Sequence, residues 1–355
     1  MLLKDNFDKR KKEKVEKFID SKQKYIFGRN VYTKAILKKI KNIKGIIDDF
    51  YKEDKYLNLP VFKLNHIPKN ADICVVSGGN ILSAINRVKS EGFENVIHYA
   101  DLIKYSQLNF QDFVFNENFK NIFEENKNEF LKIYNLLCDN VSKTIFQKII
   151  SFRYFYNIDF LKGFKNREKE QYFEDFLNLG QNEIFVDVGA YDGFTSLEFI
   201  KRVKKYKKIY IFEPDEKNLL KAKINLKNYD DIIFINSGAY DKKTILKFKE
   251  NDSASTISEE GDLEIKVNRI DNLIKKATFI KMDVEGAEIK ALKGAENIIA
   301  NCHPKMAISV YHNPLDFIDV PKFIFDLVGN DVYDVYIRHY TESIYETIMF
   351  FIPKG

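Results

Sequence analysis

The feature that most constrains this chain is an alternation of short apolar strands with amphipathic helical segments. It is clearest over residues 181–355, with predicted strands at 184–189, 208–214 and 305–312, a strand and loop at 232–241, and a strand, loop and helix at 277–299. Strands alternating with helices form a parallel sheet that is covered on both faces. The last two apolar segments, 333–340 and 343–353, are joined by a short turn and predict a hairpin. The sequence therefore predicts an α/β fold, a doubly wound sheet whose last strand is an antiparallel edge strand.

The same alternation predicts a second, smaller module nearer the start of the chain. We divide the chain into a basic N-terminal helix (1–23), a Rossmann-like α/β module (24–104), a helical connector or cap (105–180) and the larger α/β domain (181–355). Gly28 precedes a predicted helix and Asp48 follows twenty residues later, in part as in a dinucleotide site. That fingerprint has three glycines and this segment has one. The module is thus either a nucleotide site or a part that serves assembly or shapes the acceptor site.

Composition and charge exclude several classes of protein. The net charge is +5, and a surplus of four positive charges falls within residues 1–24, so no long basic footprint for nucleic acid is present. No apolar run approaches the roughly 20 residues that span a bilayer. The three cysteines are far apart, which favours reduced thiols in a bacterial cytoplasm.

The turn after the strand IFVDV carries the first chemical signal. Asp187 lies at the end of the strand, Gly189 follows in a glycine turn, and Gly193 comes just before a helix. Glu213 ends the next strand. An acid at the position of Asp187 would repel a pyrophosphate and suits a cationic ligand. A carboxylate at Glu213 can accept both hydroxyls of a ribose. S-adenosylmethionine (SAM) meets both demands, since it has an ammonium, a sulfonium and a ribose but no phosphate.

Five stretches carry a resemblance to a known family. FVDVGAYDG, IFEPDEKN, NSGAYD, RIDNL and above all FIKMDVEGAEIKALKGAE resemble the FkbM-type methyltransferases over about residues 170–355. The ending resembles a bacterial subgroup that has an N-terminal Rossmann-like region and is found with polysaccharide and glycan biosynthesis. The resemblance implies a class I SAM-dependent methyltransferase fold and O-methylation, often of sugars.

The resemblance and the strand ends together predict the site residues. Cofactor contacts are expected from Asp187, Gly189, Ala190, Tyr191, Asp192 and Gly193 at the methionine half, Glu213 at the ribose, Ser237, Gly238, Ala239 and Asp241 at the adenine, and Asp283 beside the sulfonium. Substrate contacts are expected from Tyr172, Glu285, Tyr311 and Arg338.

Methyl transfer to a hydroxyl needs a group that takes the proton. Asp283, His312 and His339 are the predicted catalytic residues, and His312 is favoured as the base because an imidazole titrates near neutrality. Asp283, Glu285 and His312 could also hold a divalent ion, but no tight ligand motif supports one and catalysis without a metal is favoured.

Two further charged residues receive simpler interpretations. Glu288 opens a predicted helix, where the helix dipole by itself favours an acid. Lys281 lies in a strand that should be buried on both faces and needs a partner, for which Asp283 is the expected acid.

These features predict a cytoplasmic bacterial SAM-dependent O-methyltransferase. The expected acceptor is a sugar hydroxyl, on a nucleotide-linked hexose or heptose destined for capsule or another surface polysaccharide. The alternatives are an N-methyltransferase acting on an amino sugar or peptide, and a non-catalytic SAM-binding scaffold. The aromatic connector also suggests a homodimer.

Overall fold

The predicted alternation of strands and helices is present in two separate units of the chain. The computed structural model describes residues 3–5, 7–251, 254–257 and 263–354. One unit contains the residues up to 124, with 147–166 and 341–345, and the other contains 125–146, 167–340 and the residues from 346 on. The segment 105–180, expected as one connector, is thus divided between the two units.

The N-terminal unit is a small α/β sandwich. Its helices are Lys9–Asp20 (α1), Val31–Lys39 (α2), Ile81–Ser90 (α3), Tyr99–Tyr105 (α4) and Phe119–Glu125 (α5). Its strands are Lys24–Phe27 (β1), Ile43–Ile47 (β2), Lys55–Tyr56 (β3), Leu59–Phe62 (β4), Asp72–Val75 (β5) and Val96–His98 (β6). The sheet order is β3-β4-β2-β1-β5-β6, parallel apart from β3, which pairs antiparallel with β4.

The C-terminal unit carries the larger sheet. Its helices are Lys127–Leu136 (α6), the first half of Asn140–Phe155 (α7), Phe194–Val203 (α8), Glu216–Asn225 (α9), Ile270–Leu273 (α10), Glu288–Lys293 (α11), Glu296–Cys302 (α12) and Asp316–Val328 (α13). Its strands are Ile184–Val188 (β7), Lys208–Phe212 (β8), Ile232–Ile235 (β9), Gly238–Ala239 (β10), Thr244–Asn251 (β11), Ala254–Ile257 (β12), Leu263–Asn268 (β13), Phe279–Met282 (β14), Lys305–Ser309 (β15), Tyr333–His339 (β16) and Thr347–Pro353 (β17). Among the described residues, no helix is both long enough and apolar enough to cross a bilayer.

The seven-stranded sheet has the order β16-β17-β15-β14-β7-β8-β9. β7, β8, β9, β14 and β15 run parallel, and β17 runs antiparallel to both of its neighbours, β15 and β16. The hairpin of β16 and β17 confirms the predicted ending. The antiparallel strand is not at the edge, however, because the second strand of the hairpin returns into the sheet and leaves β16 outside.

The helical connector is divided because α7 packs its two halves separately. In its first half, Phe146 lies edge-to-face against Phe317 of α13, at 5.9 Å between ring centroids. In its second half, Phe152 lies 6.0 Å from Phe113 in the N-terminal unit. The sequence shows one helical pattern here, and only the packing of its aromatic faces assigns each half to a unit.

A four-stranded sheet between β9 and β14 was not expected from the sequence, which we interpreted there as a strand and a loop. Its order is β10-β13-β11-β12, and β11 pairs antiparallel with β12 and with β13. It follows β9, the strand at one edge of the large sheet. This position places it beside the carboxyl ends of the parallel strands.

Candidate functional site

The order of the strands lines up the predicted site residues along one edge of the large sheet. Asp283 follows β14, Gly189 follows β7, Glu213 follows β8 and Gly238 follows β9. The carboxyl ends of parallel strands meet at one edge, where open α/β sheets bind their ligands. The edge therefore runs from an acid at Asp283, past a bare glycine turn and a second acid, to the small sheet.

A cavity of about 370 Å³ lies along this edge. It is lined by Gly189, Tyr191, Glu213, Pro214, Asp215, Asn218, Gly238, Ala239, Tyr240, Leu246, Ile265, Val267, Asp283, Val284, Glu285 and Ala287. Its size is within the range of about 300–1,000 Å³ that small-molecule sites occupy. Six of the sixteen lining residues are Gly189, Tyr191, Glu213, Gly238, Ala239 and Asp283, all predicted for the cofactor, and Glu285 was predicted for the substrate.

Glu213 is the central polar group of the cavity. Its two carboxylate oxygens accept hydrogen bonds from the backbone amides of Tyr191, at 2.8 Å, and Asp215, at 2.9 Å. Burial raises the pKa of Glu213. These amides fix the carboxylate at the middle of the edge.

The glycine turn after β7 is shaped by the protein more than by open space for a ligand. Gly189 has φ +75°, and a Cβ on it would lie 1.8 Å from the backbone oxygen of Asp283. Gly193 has φ +81°, and a Cβ there would press on Leu226 and Ala222 near α9. We expected the turn to be bare because SAM lies against it. The neighbouring loop at Asp283 and the helix α9 lie so close to the turn that they leave little room for a Cβ at either glycine.

Three other residues predicted in this turn serve its internal structure. Asp187 is fully buried, accepts a hydrogen bond from Ser196 at 2.7 Å and lies 3.3 Å from the ammonium of Lys281. Ala190 is buried, and Asp192 accepts a hydrogen bond from the amide of Phe194 at the start of α8. Their side chains support the turn from within the protein.

The pairing of Lys281 corrects one prediction. We expected Asp283 as its partner, but the ammonium pairs with Asp187 across to β7 and donates to the backbone oxygen of Gly189 at 2.6 Å. Lys281 lies opposite Asp187 in the parallel register of β14 and β7, which brings the two side chains together. Asp283 is thereby left for the cavity.

Two of the four residues predicted for the adenine end lie in the cavity wall. Gly238 and Ala239 line the cavity, but Ser237 bonds to backbone oxygens at Gly238 and Lys266, and Asp241 pairs with Lys290 at 2.8 Å. The apolar wall comes instead from the small sheet, through Leu246, Ile265 and Val267. The alternation of apolar and charged residues over 263–267 was the available signal for it.

A polar cluster that is buried except for Glu285 lies next to the opposite end of the cavity. Tyr172 donates to Asp283 at 2.5 Å, and the imidazole Nε2 of His312 lies 3.5 Å from both Asp283 Oδ1 and Glu285 Oε2. The Nδ1 atom of His312 lies 2.9 Å from Glu288 Oε1. We interpreted Glu288 as a helix-dipole residue, yet it is fully buried against His312, so sequence reasoning missed its part in this cluster.

The charge of His312 does not suit a general base. Burial alone lowers the pKa of His312, but the carboxylates of Glu288, Asp283 and Glu285 outweigh it and raise the pKa to about 10. The ring therefore carries its proton at neutral pH and has no free position for another one. The imidazole expected to titrate near neutrality is held as a cation by its three acids.

Three further predicted residues do not line the cavity and contact other side chains of the C-terminal unit. Arg338 pairs with Asp139 at 2.7 Å and donates to Ser142 at 2.9 Å. His339 is buried with Nδ1 at 2.9 Å from Thr347 Oγ1. Tyr311 lies beside His312, with 4.0 Å between ring centroids and 41° between the ring planes, and its hydroxyl donates to Glu346.

A second cavity, of about 420 Å³, lies in the N-terminal unit at the carboxyl ends of β1, β2 and β5. Gly28 and Asp48 both line it, as a dinucleotide site would require. The Asp48 carboxylate, however, pairs with Arg29 at 2.8 Å and accepts from the amides of Phe50 and Tyr51. The Asp48 carboxylate is thus already bonded to groups of the protein itself.

Comparisons with known proteins find similarity to one family of domains and to several solved structures. Residues 187–343 match the model of the methyltransferase FkbM domain. The fold is similar to the crystal structure of methyltransferase FkbM from Methylobacillus flagellatus KT, with a TM-score of 0.75 and 21% identity over 97% of this chain and 94% of that one. An rRNA methylase from Streptococcus thermophilus matches with 17% identity and a TM-score of 0.36, covering 51% of this chain and 92% of its own.

Fibrillarin from Aeropyrum pernix, solved with natively bound S-adenosyl-L-methionine, matches with 10% identity and a TM-score of 0.32, covering 49% of this chain and 67% of its own. A search of curated proteins finds no match. The family match coincides with the cavity, because residues 187–343 include every residue that lines it. The family model thus confirms the resemblance to the methyltransferase FkbM domain over residues 187–343, and the fold over nearly the whole chain is similar to that of a methyltransferase FkbM.

Proposed function

We propose that this protein transfers a methyl group from SAM to a sugar hydroxyl. The observation that carries the proposal is the order of groups along the cavity: apolar side chains of the small sheet, then Glu213, then the glycine turn, then Asp283 and Glu285. Adenine suits the apolar wall, the ribose suits Glu213, and the amino-acid half suits the turn. The sulfonium then lies toward Asp283.

The acidic end of the cavity suits an acceptor that must lose a proton. In the reaction, the acceptor oxygen attacks the methyl carbon, the carbon–sulfur bond breaks, and its electron pair stays on sulfur in S-adenosylhomocysteine. The hydroxyl proton goes to a carboxylate. Glu285 is the proposed acceptor, because its side chain is 57% exposed beside the cavity while Asp283 is held by Tyr172.

His312 takes a different role in this proposal from the one expected. As a cation between Glu288 and Asp283, it positions the carboxylates rather than accepting the proton. His339 and Arg338 are engaged with Thr347 and Asp139, so we assign neither to the reaction. Positioning of the two reactants supplies much of the rate, since the sulfonium is already an excellent leaving group.

The acceptor class rests on the family resemblance. We propose a nucleotide-linked hexose or heptose that is destined for capsule or another surface polysaccharide, methylated in the bacterial cytoplasm. A homodimer built through the aromatic connector remains a prediction, which sedimentation would test.

The decisive experiment is mass spectrometry with isotopically labelled SAM and a panel of nucleotide-linked hexoses, heptoses and amino sugars. We expect a mass gain of one methyl group on the oxygen of a neutral sugar, and no gain with Glu213→Ala, which removes the ribose ligand. Gain on an amino sugar would instead establish the N-methyltransferase. Binding of S-adenosylhomocysteine without turnover on the panel or on assembled glycans would support a non-catalytic protein.

A further inference from the structure

We propose that Asp283, Glu288 and His312 form a binding site for one divalent cation of the Mg²⁺ and Mn²⁺ class. Sequence alone favours catalysis without a metal, but the buried arrangement of these side chains is that of a mixed oxygen and nitrogen site. The cation site stands on this geometry. Its part in catalysis rests on the proposed function.

The three side chains converge from three elements of the C-terminal unit. Asp283 follows β14, Glu288 begins α11 and His312 follows β15. One carboxylate oxygen from each acid and one imidazole nitrogen all lie within 4.8 Å of one another. Ligand atoms about 2.1 Å from a Mg²⁺ ion are separated by about 3–4 Å, so small side-chain movements would close the site.

Glu288 shows that the cluster is incomplete without a ligand. It is fully buried, and its Oε1 atom accepts from the amide of Val284 at 3.0 Å and lies 2.9 Å from His312. Its Oε2 atom, also buried, has no hydrogen-bond partner among the described residues. A buried carboxylate oxygen without a partner is costly, and coordination to a metal is one of the few ways to satisfy it.

The charges of the cluster lead to the same conclusion. Three carboxylates, from Asp283, Glu285 and Glu288, surround the single imidazole of His312. The nearby ammonium of Lys281 is paired with Asp187 instead. Buried charges are normally paired or coordinate a metal, and a divalent cation would balance this excess of negative charge.

The loop between β14 and α11 holds a fourth ligand at the solvent side. Glu285 has φ +52° and Gly286 has φ +95°, two successive left-handed residues. This turn brings Glu285 Oε2 to 3.5 Å from His312 while 57% of the side chain stays exposed. Glu285 can therefore coordinate the cation directly or through water, next to the cavity that Asp283 also lines.

The set of donors selects the class of cation. Carboxylate oxygens dominate and one imidazole is present, which suits Mg²⁺ or Mn²⁺ better than the softer ions that favour several histidines or thiolates. The cation would take the place of one proton of the His312 ring between the same carboxylates, so its binding releases that proton to solvent. A cation there would face the acceptor end of the cavity. Bound to the acceptor hydroxyl, it would lower the pKa of that hydroxyl as a Lewis acid, and the proton would still leave to Glu285 or to water.

The test is a titration of the full chain with Mn²⁺, followed by electron paramagnetic resonance of the free ion. We expect one saturable site in the wild type, competed by Mg²⁺, and at least about tenfold weaker binding in Asp283→Asn and Glu288→Gln. Glu285→Gln, at an exposed position that does not endanger folding, should also weaken binding. Glu296→Gln, a partly exposed acid paired with Arg269, is the matched control and should bind as the wild type does.

Circular dichroism and thermal melting establish that each variant is folded. No saturable Mn²⁺ site in the wild type, or unchanged binding in Asp283→Asn and Glu285→Gln, would overturn the proposal. Methyl transfer measured with and without chelator separates the two ideas. Methyl transfer that survives chelation, together with no cation binding, would refute the metal site while supporting the proposed methyltransferase. Cation binding without any methyl transfer would refute the proposed methyltransferase while supporting the metal site.

Discussion

At the scale of single residues, the site is built as much by contacts inside the protein as by space for a ligand. Gly189 and Asp187 were both assigned to SAM, because a bare turn and an acid suit that cofactor. In the structure Asp187 is buried with Lys281, and Gly189 is crowded by the backbone of Asp283. Both residues hold the turn and the neighbouring loop in register, so that Asp283 can face the cavity.

Gly189→Ala should therefore unfold the domain rather than only weaken cofactor binding. A Cβ at 1.8 Å from a backbone oxygen and φ +75° cannot be relieved by a side-chain movement, so we expect a loss of about 3 kcal/mol or more in the free energy of unfolding. The control is Gly180→Ala, where the nearest atom would be 3.9 Å away. Urea denaturation of both variants decides it, and similar midpoints would refute the crowding argument.

His98 predicts how the N-terminal unit responds to acid. It is fully buried; its Nδ1 accepts from the amide of Ala100 at the start of α4, and Nε2 lies 2.9 Å from the backbone oxygen of Ser77. This pattern needs a neutral ring, and burial lowers the pKa of His98 to about 4.

Because the folded pKa of His98 is below its unfolded value, its contribution is complete above about pH 6.5 and is lost as the pH falls toward 4. The loss should be about 3 kcal/mol. The measurement is the urea midpoint between pH 4.5 and 8 in wild type and His98→Asn, whose side chain can still cap α4. The variant should be less stable at pH 8 but change less with pH; equal slopes would rule out His98 as the titrating group.

At the scale of elements, the small sheet decides the shape of the cofactor cavity. β11 and β13 pair antiparallel, and their alternating residues divide between two faces. Leu246 and Ile265 face the cavity, whereas Ile245, the neighbour of Leu246 in β11, is 56% exposed. The sheet thus supplies an apolar wall at the end where adenine is proposed to lie.

Ile265→Ala should weaken binding of S-adenosylhomocysteine by roughly fivefold, because it removes about 1 kcal/mol of apolar contact from a half-buried position. Leu246→Ala should act in the same direction. The matched control is Ile245→Ala on the other face of β11, which should leave the affinity unchanged. Isothermal titration calorimetry gives the three values, and an equal loss in all three variants would show that the sheet acts by stability and not by contact.

At the scale of the whole molecule, the C-terminal unit includes chain that the sequence assigned to a connector. α6 and the first half of α7 belong to it, with Phe146 against Phe317 and Asp139 paired with Arg338. Phe317 is fully buried, and Arg338 is 9% exposed. The C-terminal unit is therefore completed by residues that precede its sequence motifs.

A fragment of residues 181–355, the domain as the sequence defines it, should accordingly be unstable. It lacks Asp139 and exposes Phe317, and we expect the unpaired Arg338 and the uncovered aromatic ring together to cost about 3 kcal/mol. We expect aggregation, or a melting temperature at least about 6 °C below that of the fragment 125–355, which retains both contacts. Equal melting of the two fragments would show that this segment does not stabilise the domain.

Local patterns in the chain predicted much of the fold and half of the site. The parallel strands, the terminal hairpin, Glu213 and the cavity-facing Asp283 were all readable, because strand ends and hydrophobic periodicity are properties of neighbouring residues. Glu288 was missed, since its sequence position at a helix start already explains an acid. Its contact with His312 joins residues 24 positions apart on different elements.

The sequence by itself determined the class of fold, the resemblance to the FkbM domain and several of the residues that meet at the edge of the sheet. Only the tertiary structure decided which acid pairs with Lys281, which face of the small sheet lines the cavity, and where the connector divides. It also decided that His312 is held as a cation between carboxylates. The physical reason is that charge state and burial depend on side chains brought together from distant segments, while periodicity and strand order follow from the local chain.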